Sequence, residues 1–151
     1  MSIYAGCKAS VLHHLYFNLG VACHITLHLI IMHGLIAGID KDEKREIRKI
    51  YILTNIDHTN EHFTIDPKEQ LAAIKNMRAE GLKPLGNWHS HPESPSRPSE
   101  EDKRLANDSR ASYLILSLME KDNPVLNAFH IETIDGEKTV RKEELIVMED
   151  V

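Results

Sequence analysis

The stretch Asn87-Trp88-His89-Ser90-His91-Pro92, followed shortly by Ser99-Glu100-Glu101-Asp102, decides how this chain is read. Residues two apart on a strand face the same way, so a strand over Leu85 to His91 sets two imidazoles side by side and turns Trp88 and Ser90 to the other face. Pro92 then ends the strand, and a loop with Pro92, Pro95 and Pro98 leads to a helix opened by Ser99. Asp102 falls in the first turn of that helix, where it can return an oxygen ligand to the two histidines. Two nitrogens and one carboxylate with a fourth position open fit a catalytic zinc site better than a structural one. Such an ion lowers the pKa of bound water and polarises a carbonyl. The plainer alternative is that Ser99-x-x-Asp102 is only a helix capping box and His-x-His a polar surface pair. Other metal motifs fit poorly: there is no His-Glu-x-x-His, and no Pro-Cys-x-x-Cys of the deaminase signature.

Working outward, Ile47 to Leu53 is apolar and β-branched after a polar turn, Gly38 to Glu46, which predicts a hairpin of Leu29 to Ala37 with Ile47 to Thr54. The next helix is well signed: Asp66 as N-cap, Pro67 at its first position, Glu69 at the capping-box position and Gly81 past its end. Its apolar face reads as Leu71, Ile74 and Met77. Tyr113 to Leu118 is nearly all apolar, as in a strand covered on both faces, and Val125 to Ile131 alternates. The tail from Lys138 to Met148 reads as an edge strand or short helix. Strands mixed with helices give an α/β or α+β layer fold in one domain spanning 1–151.

Composition narrows the function. The chain has 151 residues, 42% of them apolar, and a net charge of -5 with no dense basic stripe, which argues against nucleic acid as a partner. It is too short for a TIM barrel. Two cysteines, Cys7 and Cys23, make no disulfide framework and point to a reducing, cytoplasmic setting. None of the 18 basic and 23 acidic residues lies between Ala9 and Ile39, a run that holds His13, His14, His24, His28 and His33. Histidines and glycines interrupt it, so it reads neither as a membrane span nor as a secretory signal. Cys23, His24 and His28 lack a further ligand to complete a site, and His58 and His62 belong to a loop near the site mouth. His130 reads as a core or edge histidine, Glu93 as solvated, and Glu100 and Glu101 as residues favouring a helix N-terminus.

The spacing His89-Ser-His91, seven residues, Ser99, two residues, Asp102 resembles the JAMM or MPN+ zinc metallopeptidases, in their small single-domain prokaryotic branch. Asn55, the Asp66-Pro67 helix start, Gly86-Asn87-Trp88 and Tyr113-Leu114-Ile115 extend the likeness over Gly34 to Glu132. The resemblance implies a cytidine-deaminase-like fold, a mixed β-sheet flanked by helices. It implies Zn2+ held by His89, His91 and Asp102, with Ser99 as the hydroxyl that stabilises the tetrahedral intermediate. The implied reaction is hydrolysis of an amide or isopeptide bond after the C-terminal Gly-Gly of a ubiquitin-like or sulfur-carrier protein. The family's general base is a glutamate three residues before a glycine, and here Ile31 stands at that position and His33 at the family's cysteine. Two explanations stay open: residues before about Gly34 are foreign to the fold, through a shift of reading frame, or the branch has lost its base. A foreign segment should pack poorly before about Leu29. A base-less protein that only binds ubiquitin-like partners is the alternative function.

Overall fold

The computed structural model describes residues 4–8, 10, 13, 31–41, 44–57, 64–120 and 122–148. They form strands β1 (Tyr4–Lys8), β2 (His33–Lys41), β3 (Lys44–Leu53), β4 (Lys83–His91), β5 (Ser112–Ser117), β6 (Val125–Ile134) and β7 (Glu137–Met148). Helix α1 (Pro67–Ala79) lies between β3 and β4, and α2 (Glu100–Leu105) between β4 and β5. The sheet runs β1-β3-β2-β4-β5-β6-β7 and closes on itself, because β1 pairs in parallel with both β3 and β7. β4 and β5 are also parallel, and the remaining pairs are antiparallel. This is the mixed α/β architecture expected.

One face of the sheet packs Ile36, Ile47, Ile50, Leu85, Trp88, Leu114, Leu116 and Ala128 into a single cluster. On the opposite face, α1 covers Leu35, Ala37 and Leu53 with Ala73 and Met77. Further along, Ala106 at the end of α2 joins Tyr113, Ile115, Phe129 and Ile131. His89 pairs with Ile115, so the two histidines open onto the helix-bearing face between these two clusters. Gly34 makes the packing beneath them possible. A Cβ there would stand 1.7 Å from the Tyr51 carbonyl oxygen and 2.6 Å from Trp88 Nε1. The vacant space lets the buried Trp88 indole donate to that carbonyl at 3.0 Å.

Several expectations are refined. The hairpin is tighter than the polar residues suggested: pairing runs on to Lys41 and Lys44, with a bulge at Ala37/Gly38, because Asp40, Lys41 and Lys44 extend the ladder into solvent. Helix α1 begins and ends as predicted, with Asp66 accepting from Lys68 N and Gly81 at φ +69°. Leu71, however, is exposed; the helix lies on the sheet through Ala73, Met77 and the partly buried Ile74. Glu69 leaves the capping box open and instead accepts from Thr54 N at 2.6 Å and Thr54 Oγ1 at 2.8 Å, tying the helix to the end of β3. The tail is a strand but not at an edge, because β7 pairs with β6 on one side and with β1 on the other. β1 was not anticipated, and its place in the sheet corrects, for Tyr4–Lys8, the expectation that the N-terminal segment packs poorly. Cys23, His24, His28, His58 and His62 lie outside the described residues, as does most of the uncharged run. Among the described residues no helix is long and apolar enough to cross a membrane.

Because the atom a new Cβ would strike is backbone, Gly34→Ala should destabilise by about 3 kcal/mol, the upper end of ordinary overpacking. Denaturant unfolding followed by the fluorescence of Trp88, the one tryptophan, checks this; an unchanged midpoint would show that the strands can part without cost.

Candidate metal centre

Strand alternation brings His89 and His91 to one face, and the backbone of β4 holds them there through pairing with β2 on one side and β5 on the other. The proline-bearing loop then turns the chain so that α2 starts above them. Ser99 caps α2 by a reciprocal box: Asp102 N donates to Ser99 Oγ at 3.1 Å, and Ser99 N donates to Asp102 Oδ2 at 2.7 Å. Asp102 thus belongs both to the capping box and to the candidate ligand group, and the two readings of Ser99-x-x-Asp102 do not compete. The cap fixes the Asp102 rotamer, and that rotamer aims the carboxylate at the histidines.

Three side chains converge. His89 Nε2 lies 3.0 Å from His91 Nε2 and 3.1 Å from Asp102 Oδ1, and His91 Nε2 lies 3.2 Å from Asp102 Oδ2. A tetrahedral ion with ligands at about 2.0–2.2 Å sets its donors roughly 3.3–3.6 Å apart, so the cluster fits such an ion with shifts of a few tenths of an ångström. His91 Nδ1 donates to the Pro95 carbonyl at 3.0 Å, which leaves the Nε2 lone pair facing inward. Among the described residues this is the one group of three or more such side chains close enough to hold a metal. The side chains are 5%, 9% and 11% exposed, so the site is recessed yet reachable.

The electrostatics agree with the geometry. Burial would raise the Asp102 carboxyl, but hydrogen bonds from His89, His91 and Ser99 overcome it and hold the pKa well below the carboxylate range. Burial would lower His91, but its contacts with Asp102 and the Pro95 carbonyl overcome this and raise it. His33 stands opposite His89 on β2; burial, and then His89, lower its pKa.

A cleft of about 360 Å³ opens beside the cluster, walled by Ile65, Leu105, Tyr113, Ile115 and Ile131, with Thr64 and Asn87 supplying polar groups. Asp102 is the only carboxylate among its described lining residues. Ile31 is buried, and Asn55 Nδ2 donates to its carbonyl at 3.1 Å. Ser90 N donates to Met32 O while Met32 N donates to Ser90 Oγ, so β2 leaves the ladder there. Ile31 thus precedes β2, two residues before His33, which pairs with His89. Glu100 and Glu101 pair with Lys103 and Arg104 on the outside of α2, and His130 is a buried histidine 3.6 Å from Glu132. Sequence reasoning did not single out the Pro95 carbonyl or the bond from Asn55 to Ile31, since neither leaves a residue-type signal.

The chain belongs to the family described as prokaryotic homologs of the JAB domain, which matches residues 32–132. This is a family of typically metal-dependent hydrolases. The chain is 27% identical over 106 residues, 70% of each protein, to a CysO-cysteine peptidase of Mycobacterium tuberculosis. It is 36% identical over 84 residues to a probable TtuB-protein conjugate cleaving protease of Thermus thermophilus, covering 54% of this chain and 52% of that one. Among solved structures, protein DSY2949 of Desulfitobacterium hafniense is 40% identical with a TM-score of 0.82, over 97% of this chain and 94% of that one. A Salinibacter ruber protein at 20% identity and a TM-score of 0.66, over 95% and 91%, shares the fold.

A raised histidine stabilises the fold fully below about pH 6.5 and loses that contribution as pH climbs through its folded pKa; a depressed carboxylate stabilises above about pH 3.9 and loses it as pH falls through its own. With a chelator present, the denaturation midpoint should therefore fall as pH rises beyond about 6.5. His91→Gln should flatten that alkaline limb, and an identical limb in the variant would assign the effect elsewhere.

Proposed function

We propose that this protein is a zinc-dependent peptidase that cleaves an amide or isopeptide bond after the C-terminal Gly-Gly of a ubiquitin-like sulfur-carrier protein. The observation that carries the proposal is the convergence of His89 Nε2, His91 Nε2 and the Asp102 carboxylate at the wall of an apolar cleft. In this reading His89, His91 and Asp102 hold the ion, which supplies Lewis-acid polarisation of the scissile carbonyl and acidifies water. Ser99, whose hydroxyl donates to Asp102 Oδ2 at 2.7 Å, orients the carboxylate, and rotated away from it the same O–H would serve a developing oxyanion. The recessed ligands favour a tail without side chains, because two glycines let a backbone descend between Tyr113, Ile65 and Leu105 without steric conflict. The Asn87 amide offers that backbone a polar contact. Relatives named for cleaving CysO and TtuB conjugates support a carrier-protein substrate. Cytoplasmic residence follows from that choice of partner.

A second reading has its own support. Ile31 puts an aliphatic chain where the family places its base, which favours a protein that docks carrier tails without cutting them. Purified protein should contain about one zinc per chain, and His89→Ala should abolish it, since two protein ligands rarely retain the ion. Ile31→Glu should raise hydrolysis of a Gly-Gly-tailed carrier at least tenfold, a cautious fraction of the roughly 100- to 10,000-fold contribution of general acid-base catalysis. Ile31→Gln is the control, matched in shape but unable to take a proton. Equal inactivity of both, with zinc bound, would leave the docking protein standing. Ser99→Ala should lower turnover roughly a hundredfold if the hydroxyl serves the oxyanion, and should only lower stability by about 1 kcal/mol if it serves the cap alone.

A further inference from the structure

Three consecutive carbonyls in the loop between β4 and α2 each accept a hydrogen bond from a different side chain. Ser94 O accepts from Ser117 Oγ at 2.7 Å, Pro95 O from His91 Nδ1 at 3.0 Å, and Ser96 O from Asn127 Nδ2 at 3.1 Å. Ser96 Oγ adds a bond to the Ile115 carbonyl at 2.6 Å. The two outer bonds come from neighbouring strands whose register is fixed. Ser117 pairs with His91 across β4 and β5, and Asn127 pairs with Ile115 across β5 and β6, which itself pairs with His89. The loop thus lies across the strand ends, pinned on both sides of Pro95. Arg97 N also donates to the Pro95 carbonyl at 2.8 Å; proline has no N–H with which to anchor its own side of this turn, so the clamps on Ser94 and Ser96 hold the turn in which that carbonyl sits.

We propose that Ser117 and Asn127 are positioning residues for the metal centre. By clamping Ser94 and Ser96 they aim the Pro95 carbonyl at His91 Nδ1, which fixes the histidine in its Nδ1–H tautomer and turns the Nε2 lone pair toward His89 and Asp102. The inference rests on the assignment of His91 as a ligand, and it extends the centre to β5 and β6, which contribute no ligand. A carbonyl partner for a ligand histidine both orients the ring and increases its basicity, and loss of such partners typically weakens metal affinity 10- to 100-fold. Ser117 and Asn127 touch none of the donor atoms, so their effect reaches the ion only through His91.

The test uses the full-length chain and the variants Ser117→Ala, Asn127→Asp, their combination, and Ser117→Thr, which keeps the hydroxyl. Met77→Ala, in the core under α1, controls for general destabilisation. Nitrogen-15 chemical shifts report the His91 tautomer in chelator-treated protein at about pH 9, where an ordinary imidazole is neutral. Competition with a chromogenic chelator reports zinc affinity. The wild-type ring should show the Nδ1–H tautomer. The double variant should show a tautomer mixture and bind zinc about 10- to 100-fold more weakly, with Ser117→Thr within about threefold of wild type. A folded double variant with an unchanged tautomer would overturn the proposal, as would an equal loss of affinity in Met77→Ala. If the wild-type chain binds no zinc, the ligand assignment fails on its own, and the tautomer comparison still decides whether the clamp orients His91.

Discussion

At Gly34 two strands approach so closely that no side chain can stand between them, and the Trp88 ring fills the space while its N–H satisfies the Tyr51 carbonyl. That contact sets the facing of β4. With Trp88 locked into one face, alternation leaves His89 and His91 no choice but the other, and a slip of one residue would turn both imidazoles into the apolar cluster that now holds Trp88 and carry the indole to the helix-bearing face. Everything built on the histidines, from the loop that follows to the carboxylate returned by α2, therefore depends on one residue with no side chain and one with the largest.

The donor cluster itself is a concentration of groups that accept hydrogen bonds or bind cations. Two imidazole nitrogens and a carboxylate within about van der Waals contact cannot all be satisfied by one another, because a neutral imidazole with Nδ1–H already committed to Pro95 offers only a lone pair at Nε2. A positive charge at the centre, whether a proton or a metal ion, resolves this. The raised His91 and depressed Asp102 show the proton's version of that solution. Ligation needs histidine in its neutral form, so a metal ion taken up by this cluster would displace that proton.

The sequence carried these parts unequally. His89, His91 and Asp102 were legible because strand periodicity and a helix cap are local rules, and each places a side chain without reference to the rest of the chain. The limits of α1 were legible for the same reason, since Asp66, Pro67 and Gly81 act on their own backbone. Leu71 and Glu69 were misread because their fate depends on what lies opposite: the sheet meets α1 at Ala73 and Met77, and Thr54 captures Glu69 from its helical partner. Ser117 and Asn127 gave no signal, since a small polar residue on a strand announces nothing until the loop it grips is in place. β1 stayed hidden because five residues including a glycine offer neither period nor turn.

Closure of the sheet by β1 has a consequence for how the molecule is made. Tyr4 lies beside Lys44 on one side and Glu144 on the other, so β1 bridges a partner some forty residues away and another close to the opposite end of the chain. Until β7 has been synthesised, β1 has one neighbour, and β1 and β6 keep open edges, the kind of surface on which strands from other chains pair. Contacts so distant in sequence come late and slowly in folding, because the loop entropy is lost before they repay it. The last turn of the ladder is thus also the step during which this chain is most exposed to its neighbours on the ribosome.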